Sequence, residues 1–124
     1  MRKDEVYLRH ILDAINDMEH FTRGVTKSAF SKDKEKQYAT IRAFEIIGEA
    51  TKNLSSDLRK HNAHVPWKTI AGMWDKLIHE YFGVNIEVVW TAVQDRIPEL
   101  RREIRAILRK LGATGGLFDK PEKQ

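Results

Sequence analysis

The chain of 124 residues has no cysteine, only three prolines and seven glycines, and no long uninterrupted apolar run. Each shortage removes a class of explanation. Without cysteine there are no disulfides and no thiolate metal sites, so any metal would have to be held by imidazole and carboxylate. No apolar run approaches the roughly 18 residues of a membrane-spanning helix. The opening residues Met1-Arg2-Lys3-Asp4-Glu5 lack the apolar core of a secretory signal, so a cytoplasmic protein without a membrane partner is expected. The glycines form no phosphate cradle of the Walker or dinucleotide type, and no serine lies in a strained glycine-rich turn. His79-Glu80 has no second histidine four residues on, where position 83 is glycine, so the zinc-protease pattern fails. His10 with Asp13, and His61 with His64, read as isolated surface pairs. Neither a metal nor a cofactor is expected.

What is abundant is charge, and helical period. Charged residues make up 32% of the chain, with 22 basic against 18 acidic, an excess compatible with nucleic acid but not demanding it. Strand alternation is missing. Val6, Ile11, Ile15 and Met18 predict one apolar stripe between about Asp4 and Phe21, flanked by Leu8 and Leu12 and ended by Gly24. Thr26 or Ser28 is placed to cap a short helix through Phe30. Asp33 opens a long segment in which Tyr38, Ile41, Ala43, Ile46, Ile47 and Ala50 recur at three- and four-residue spacing up to Leu54. Gly48 inside it costs about 1 kcal/mol relative to alanine, which suggests a close helix contact. Ser55-Ser56-Asp57 restarts the chain for a short helix, and Pro66 fits the first position of the next. That helix is expected to end near Gly83.

Asn85 is the expected N-cap of the last long helix, whose apolar set is Ile86, Val89, Val93, Ile97, Leu100, Ile104, Ile107 and Leu111. Pro98 predicts a kink or break near Arg96-Ile97, because its ring clashes with the carbonyl one turn back. Gly112, Gly115 and Gly116 close the element. The reading is one all-α domain over residues 4–111, an up-and-down bundle of four main helices plus one or two short ones, followed by a flexible tail over 112–124. A chain of this length can bury roughly two thirds of its unfolded surface.

One histidine resists a folding explanation. At about 100° per residue, Ile70, Met73, Trp74, Leu77, Ile78 and Tyr81 share a sector little wider than a third of their helix, and Trp67 joins them. His79 falls on the opposite stripe with Gly72, Asp75, Lys76 and Gly83. Asp75 lies one turn earlier, placed to hold the imidazole in one tautomer, an arrangement that suits a general acid or base. An exposed histidine on a polar face is the plain alternative. The last helix also offers a basic ridge, Arg101, Arg105 and Arg109, recurring every four residues, which either lies along phosphates or is a solvated face balanced by Glu99 and Glu103.

The segment Leu77-Ile78-His79-Glu80-Tyr81-Phe82-Gly83-Val84, preceded by Pro66-Trp67-Lys68-Thr69-Ile70-Ala71-Gly72-Met73, resembles the signature of the HepT-like proteins, a branch of the all-helical HEPN superfamily. Tyr7-Leu8-Arg9-His10-Ile11-Leu12-Asp13-Ala14-Ile15 and Arg42-Ala43-Phe44-Glu45-Ile46-Ile47-Gly48-Glu49-Ala50 extend the likeness to about residues 4 to 110. The resemblance implies a homodimeric, metal-independent ribonuclease toxin with its site in a cleft between subunits. It also implies a partner, a small nucleotidyltransferase antitoxin of the MntA kind that silences the toxin by attaching AMP to the motif tyrosine. The family motif runs from an arginine through four to six residues to a histidine, one residue and a tyrosine. By position the histidine is His79, the AMP acceptor is Tyr81, and Asp75 stands where the family often has Asn or Asp. The arginine position holds Trp74, whose indole cannot bind the scissile phosphate or stabilise its added charge. Lys76 is then the nearby cation, a point charge in place of a bidentate clamp. Two functions follow: an RNA-cleaving toxin, or a catalytically weakened homologue that serves as binding partner of the nucleotidyltransferase.

Overall fold

Local capping chemistry decides where the helices begin. The computed structural model describes residues 2–79 and 85–115, without the side chains of Arg2, Met73, Trp74, residues 76–79 and residues 113–115. Helix α1 (Arg2–Thr22) stops where Gly24 takes a left-handed φ of 73°, a conformation that glycine alone adopts without a Cβ penalty. Thr26 Oγ1 accepts from the Ala29 amide at 3.0 Å and starts α2 (Lys27–Ser31). Asp33 Oδ1 accepts from the Lys36 amide at 3.1 Å and starts α3 (Lys34–Lys52). Ser55 does the same for α4 (Ser56–His61), and Pro66 precedes α5 (Trp67–His79). Asn85 accepts from the amides of Glu87 and Val88 to open α6 (Ile86–Thr91). These side chains satisfy amides that have no partner inside the helix, each stabilising its start by about 1 kcal/mol.

The final helix does not break at Pro98. It passes from α6 through one π-helical segment, Ala92–Arg96, into α7 (Ile97–Gly115). The Ile97 amide reaches back five residues to the Ala92 carbonyl, so the turn is wide where Pro98 can give no hydrogen bond and its ring needs room. The expected interruption is therefore a widened turn within a continuous helix. The wide turn also keeps the apolar stripe in register: Val89, Val93, Ile97, Leu100, Ile104 and Ile107 are all buried. The helix is described through Gly115, so it continues past Gly112, the expected start of the tail.

Four long helical stretches and two short ones make an all-α bundle, with no strand among the described residues. Helix α1 packs against both α3 and α7, and α3 packs in turn against α5. The short α2 bridges α3 and α6, with Phe30 fully buried and its ring 5.1 Å from that of Trp90. On α1 the core stripe is Leu8, Ile11, Ile15 and Met18, while Val6 is exposed, so Leu8 and not Val6 leads the stripe. Asp4 extends it by one turn. Tyr38, expected on the core face of α3, is likewise exposed, and Thr40, Phe44 and Thr51 occupy that face with Ala43, Ile47 and Ala50. Gly48 is buried on the same face. Burying each such Leu, Ile or Phe contributes about 1.5–3 kcal/mol. No described helix is long and apolar enough to cross a membrane.

Candidate functional site

Helix α5 carries the sequence features of interest, and the loop before it fixes how it enters the bundle. Asn62 is buried after α4, its side-chain amide donating to the Leu58 carbonyl at 2.9 Å. Its own carbonyl accepts from the indole Nε1 of Trp67 at 3.1 Å, which ties the first residue of α5 to the end of α4. Pro66 stands just outside the helix, one residue earlier than expected, and its carbonyl takes the first helical bond from Ile70 at 3.0 Å. Trp67 is buried and Ile70 packs against the core, so the apolar stripe of α5 faces inward where it is described.

The opposite face looks outward. Gly72 is exposed, and a Cβ built there meets nothing within 4 Å. Asp75, one turn before His79, stands at the surface with its Oδ1 accepting from Lys52 Nζ of α3 at 2.8 Å. The pair holds the Lys52 ammonium above its ordinary lysine value, chiefly through the hydrogen bond to Asp75, against a smaller opposing effect of desolvation. The two residues assigned to the His79 stripe whose surroundings are described thus do lie on the outer face. The side chains of Trp74, Lys76 and His79 lie outside the described residues, as does Tyr81 altogether.

The basic ridge of α7 separates into two kinds of residue. Arg101 reaches across to α1, where its guanidinium donates to Asn16 Oδ1 at 2.8 Å and forms a close ion pair with Glu19. Arg105 and Arg109 are exposed. Three other histidines have local contacts. His61 Nδ1 lies 2.8 Å from the Asp57 carbonyl, His64 Nε2 lies 2.8 Å from Glu103 Oε1, and His10 meets Tyr7 edge to face. Among the described residues no three His, Asp or Glu side chains gather to hold a metal.

Two features escaped the sequence reading. Asp4 is buried, and its carboxylate accepts from both the amide and the hydroxyl of Ser55, at 2.8 and 2.7 Å, pinning the start of α1 to the cap of α4. The second is an open groove of about 550 Å³ between the end of α3, α4 and the start of α5, whose rim carries Lys52, Arg59, Lys60 and Lys68. Those cations come from three elements, so no spacing in the sequence announces them.

The profile of the family described as Ribonuclease HepT-like matches residues 11–107. Among individual proteins, the chain is 44% identical over 110 residues to the TTE0752 protein of Caldanaerobacter subterraneus subsp. tengcongensis, named provisionally as an RNase, covering 89% of this chain and 98% of that one. It is 46% identical over 100 residues to a protein of Thermococcus cleftensis named probable ribonuclease HepT, covering 81% and 91%. The MJ0125 protein of Methanocaldococcus jannaschii, also provisionally named an RNase, is 40% identical over 110 residues, covering 89% and 95%. No solved structure matches with statistical significance.

Proposed function

This chain belongs to the ribonuclease HepT-like family of the HEPN superfamily, and we propose that it acts as a metal-independent ribonuclease toxin, working as a homodimer. The observation that carries the reading is the family match over residues 11–107, which includes the whole of α5 and the motif segment after it. In the proposed reaction the 2′-oxygen of the substrate attacks the neighbouring phosphorus, and the bond to the 5′-oxygen breaks. A cyclic phosphate and a 5′-hydroxyl result. His79 moves the proton, taking it from the 2′-hydroxyl or giving it to the departing oxygen. Lys76 supplies positive charge for the phosphate in the role the family gives to arginine. Asp75, held by Lys52, fixes the outer face of α5 one turn before His79.

We further propose that Tyr81 is the acceptor of AMP from a small MntA-like nucleotidyltransferase. Its phenolic oxygen attacks the α-phosphorus of the nucleoside triphosphate, and pyrophosphate leaves. The resulting charge and bulk, two residues from His79, would keep RNA out of the cleft. Trp74 at the motif arginine position favours a second reading, in which cleavage is weak and the complex with the nucleotidyltransferase is the main activity.

Labelled RNA incubated with micromolar protein and EDTA tests the first reading. Cleavage is expected, His79→Ala should lower its rate by about 100-fold or more, and Trp74→Arg should raise it. RNA left intact by both the unaltered protein and Trp74→Arg would reject the nuclease reading. Co-expression with an MntA-like nucleotidyltransferase should add one AMP to Tyr81 by mass spectrometry, and an unmodified Tyr81 would reject the acceptor role.

A further inference from the structure

The groove between α3, α4 and α5 lies apart from the His79 and Tyr81 positions of the motif, although Pro66, Trp67, Lys68 and Ala71 of its lining belong to the signature segment. Its lining includes Lys52 from the last turn of α3, Arg59 and Lys60 from α4, and Lys68 from the first turn of α5, and no carboxylate. Arg59 and Lys60 stand in the last turn of the short α4, where Arg59 Nε donates to the Ser55 carbonyl at 3.5 Å, and Lys68 stands in the first turn of α5. The floor between the cations is small and apolar, formed by Ala63, Val65, Pro66 and Ala71. A cationic rim beside an apolar floor suits a flexible, single polyanionic strand that lays its phosphates on the rim.

We propose that this groove is the track for single-stranded RNA leading to the motif face of α5; the assignment rests on the ribonuclease reading above. Position connects the two. Lys68 and His79 are on the same helix, about 16 Å apart along its axis at 1.5 Å per residue, and Lys52 joins the groove to that outer face through its bond to Asp75. The cations contact phosphates and not base edges, so the track binds without sequence preference and positions the strand for cutting elsewhere. It also supplies from other elements some of the positive charge that Trp74 fails to provide.

The test uses the full chain and a fluorescent single-stranded 2′-O-methyl RNA, which binds but has no 2′-hydroxyl to react. Affinity is measured by polarisation across a salt series. Single-strand binding loses about 0.7 in the slope of log affinity against log salt for each phosphate contact removed. The triple variant Arg59→Gln, Lys60→Gln, Lys68→Gln should therefore lower the slope by about two and weaken binding severalfold at low salt. Arg105→Gln with Arg109→Gln on α7 should leave the slope nearly unchanged. Ultraviolet cross-linking of the unaltered protein, mapped by mass spectrometry, gives an independent readout that no folding defect can disturb, and adducts should fall between residues 52 and 71. An unchanged slope in the triple variant, a larger loss in the α7 pair, or cross-links confined to other segments would overturn the assignment. Because the probe cannot be cut, binding in the groove with no cleavage of ordinary RNA would reject the nuclease reading alone. Cleavage retained with the slope unchanged would reject the groove alone.

Discussion

Two cationic surfaces of this molecule differ in what surrounds them. On α7 the basic residues lie on a helix whose stripe Ile97, Leu100, Ile104 and Ile107 is buried, and one of them, Arg101, is committed to Asn16 and Glu19 of α1. In the groove, Arg59, Lys60 and Lys68 lie over a loop and two helix ends, with no carboxylate among the lining residues. A guanidinium that spans two helices and satisfies acceptors on both is a clamp. A cation left beside an apolar floor keeps its field for a ligand. Regular spacing drew attention to the first surface, whereas only the fold assembles the second.

The comparison breaks most directly at Arg101. Arg101→Ala removes a part-buried ion pair with Glu19 and an exposed charge-assisted bond to Asn16, and should lower unfolding stability by about 1–2 kcal/mol in urea titrations. If stability is unchanged, Arg101 is not a clamp and the two surfaces are of one kind. The triple groove variant should behave in the opposite way. It should move stability by no more than about 0.5 kcal/mol while reducing RNA affinity, because its side chains are exposed or peripheral to the core. A large loss of stability there would mean that the groove cations hold the fold and are not reserved for a ligand.

The same contrast explains how much the sequence could disclose. The caps at Thr26, Asp33, Ser55 and Asn85 are legible because capping is local: a side chain meets an amide two or three residues away. The α7 stripe is legible because its period persists through the π turn. Val6 and Tyr38 mislead, since an apolar type fits a helix face without revealing which of two adjacent faces the neighbours cover. Asp4 is hidden for the opposite reason, being charged at a core position and compensated by Ser55, 51 residues away. The widened turn at Pro98 depends on how the helix relieves a clash, for which periodicity offers two solutions, a break or a π segment. At the site, the outward stripe of α5 was legible through Gly72 and Asp75, but the partner of Asp75 was not. Lys52 is 23 residues away, and its meeting with Asp75 exists only because α3 packs on α5.

That pair gives the smallest expected effect and the sharpest one. Both side chains are about half exposed, so breaking the bond should hardly move the melting temperature. The Lys52 pKa is raised mainly by the hydrogen bond it donates to Asp75 and less by the carboxylate of Glu49, so Asp75→Asn should bring it down towards the ordinary lysine value while leaving Glu49's part in place. The sign follows from linkage. A raised lysine pKa means that the folded protein holds the proton more tightly than the unfolded chain, so the pair's contribution is complete below the ordinary lysine range and disappears as pH rises through the raised value. Side-chain NMR of Lys52 during an alkaline titration reads this directly. A titration identical in the parent and Asp75→Asn would mean that Asp75 does not hold Lys52 in solution, and it would remove the link by which the groove reaches the outer face of α5.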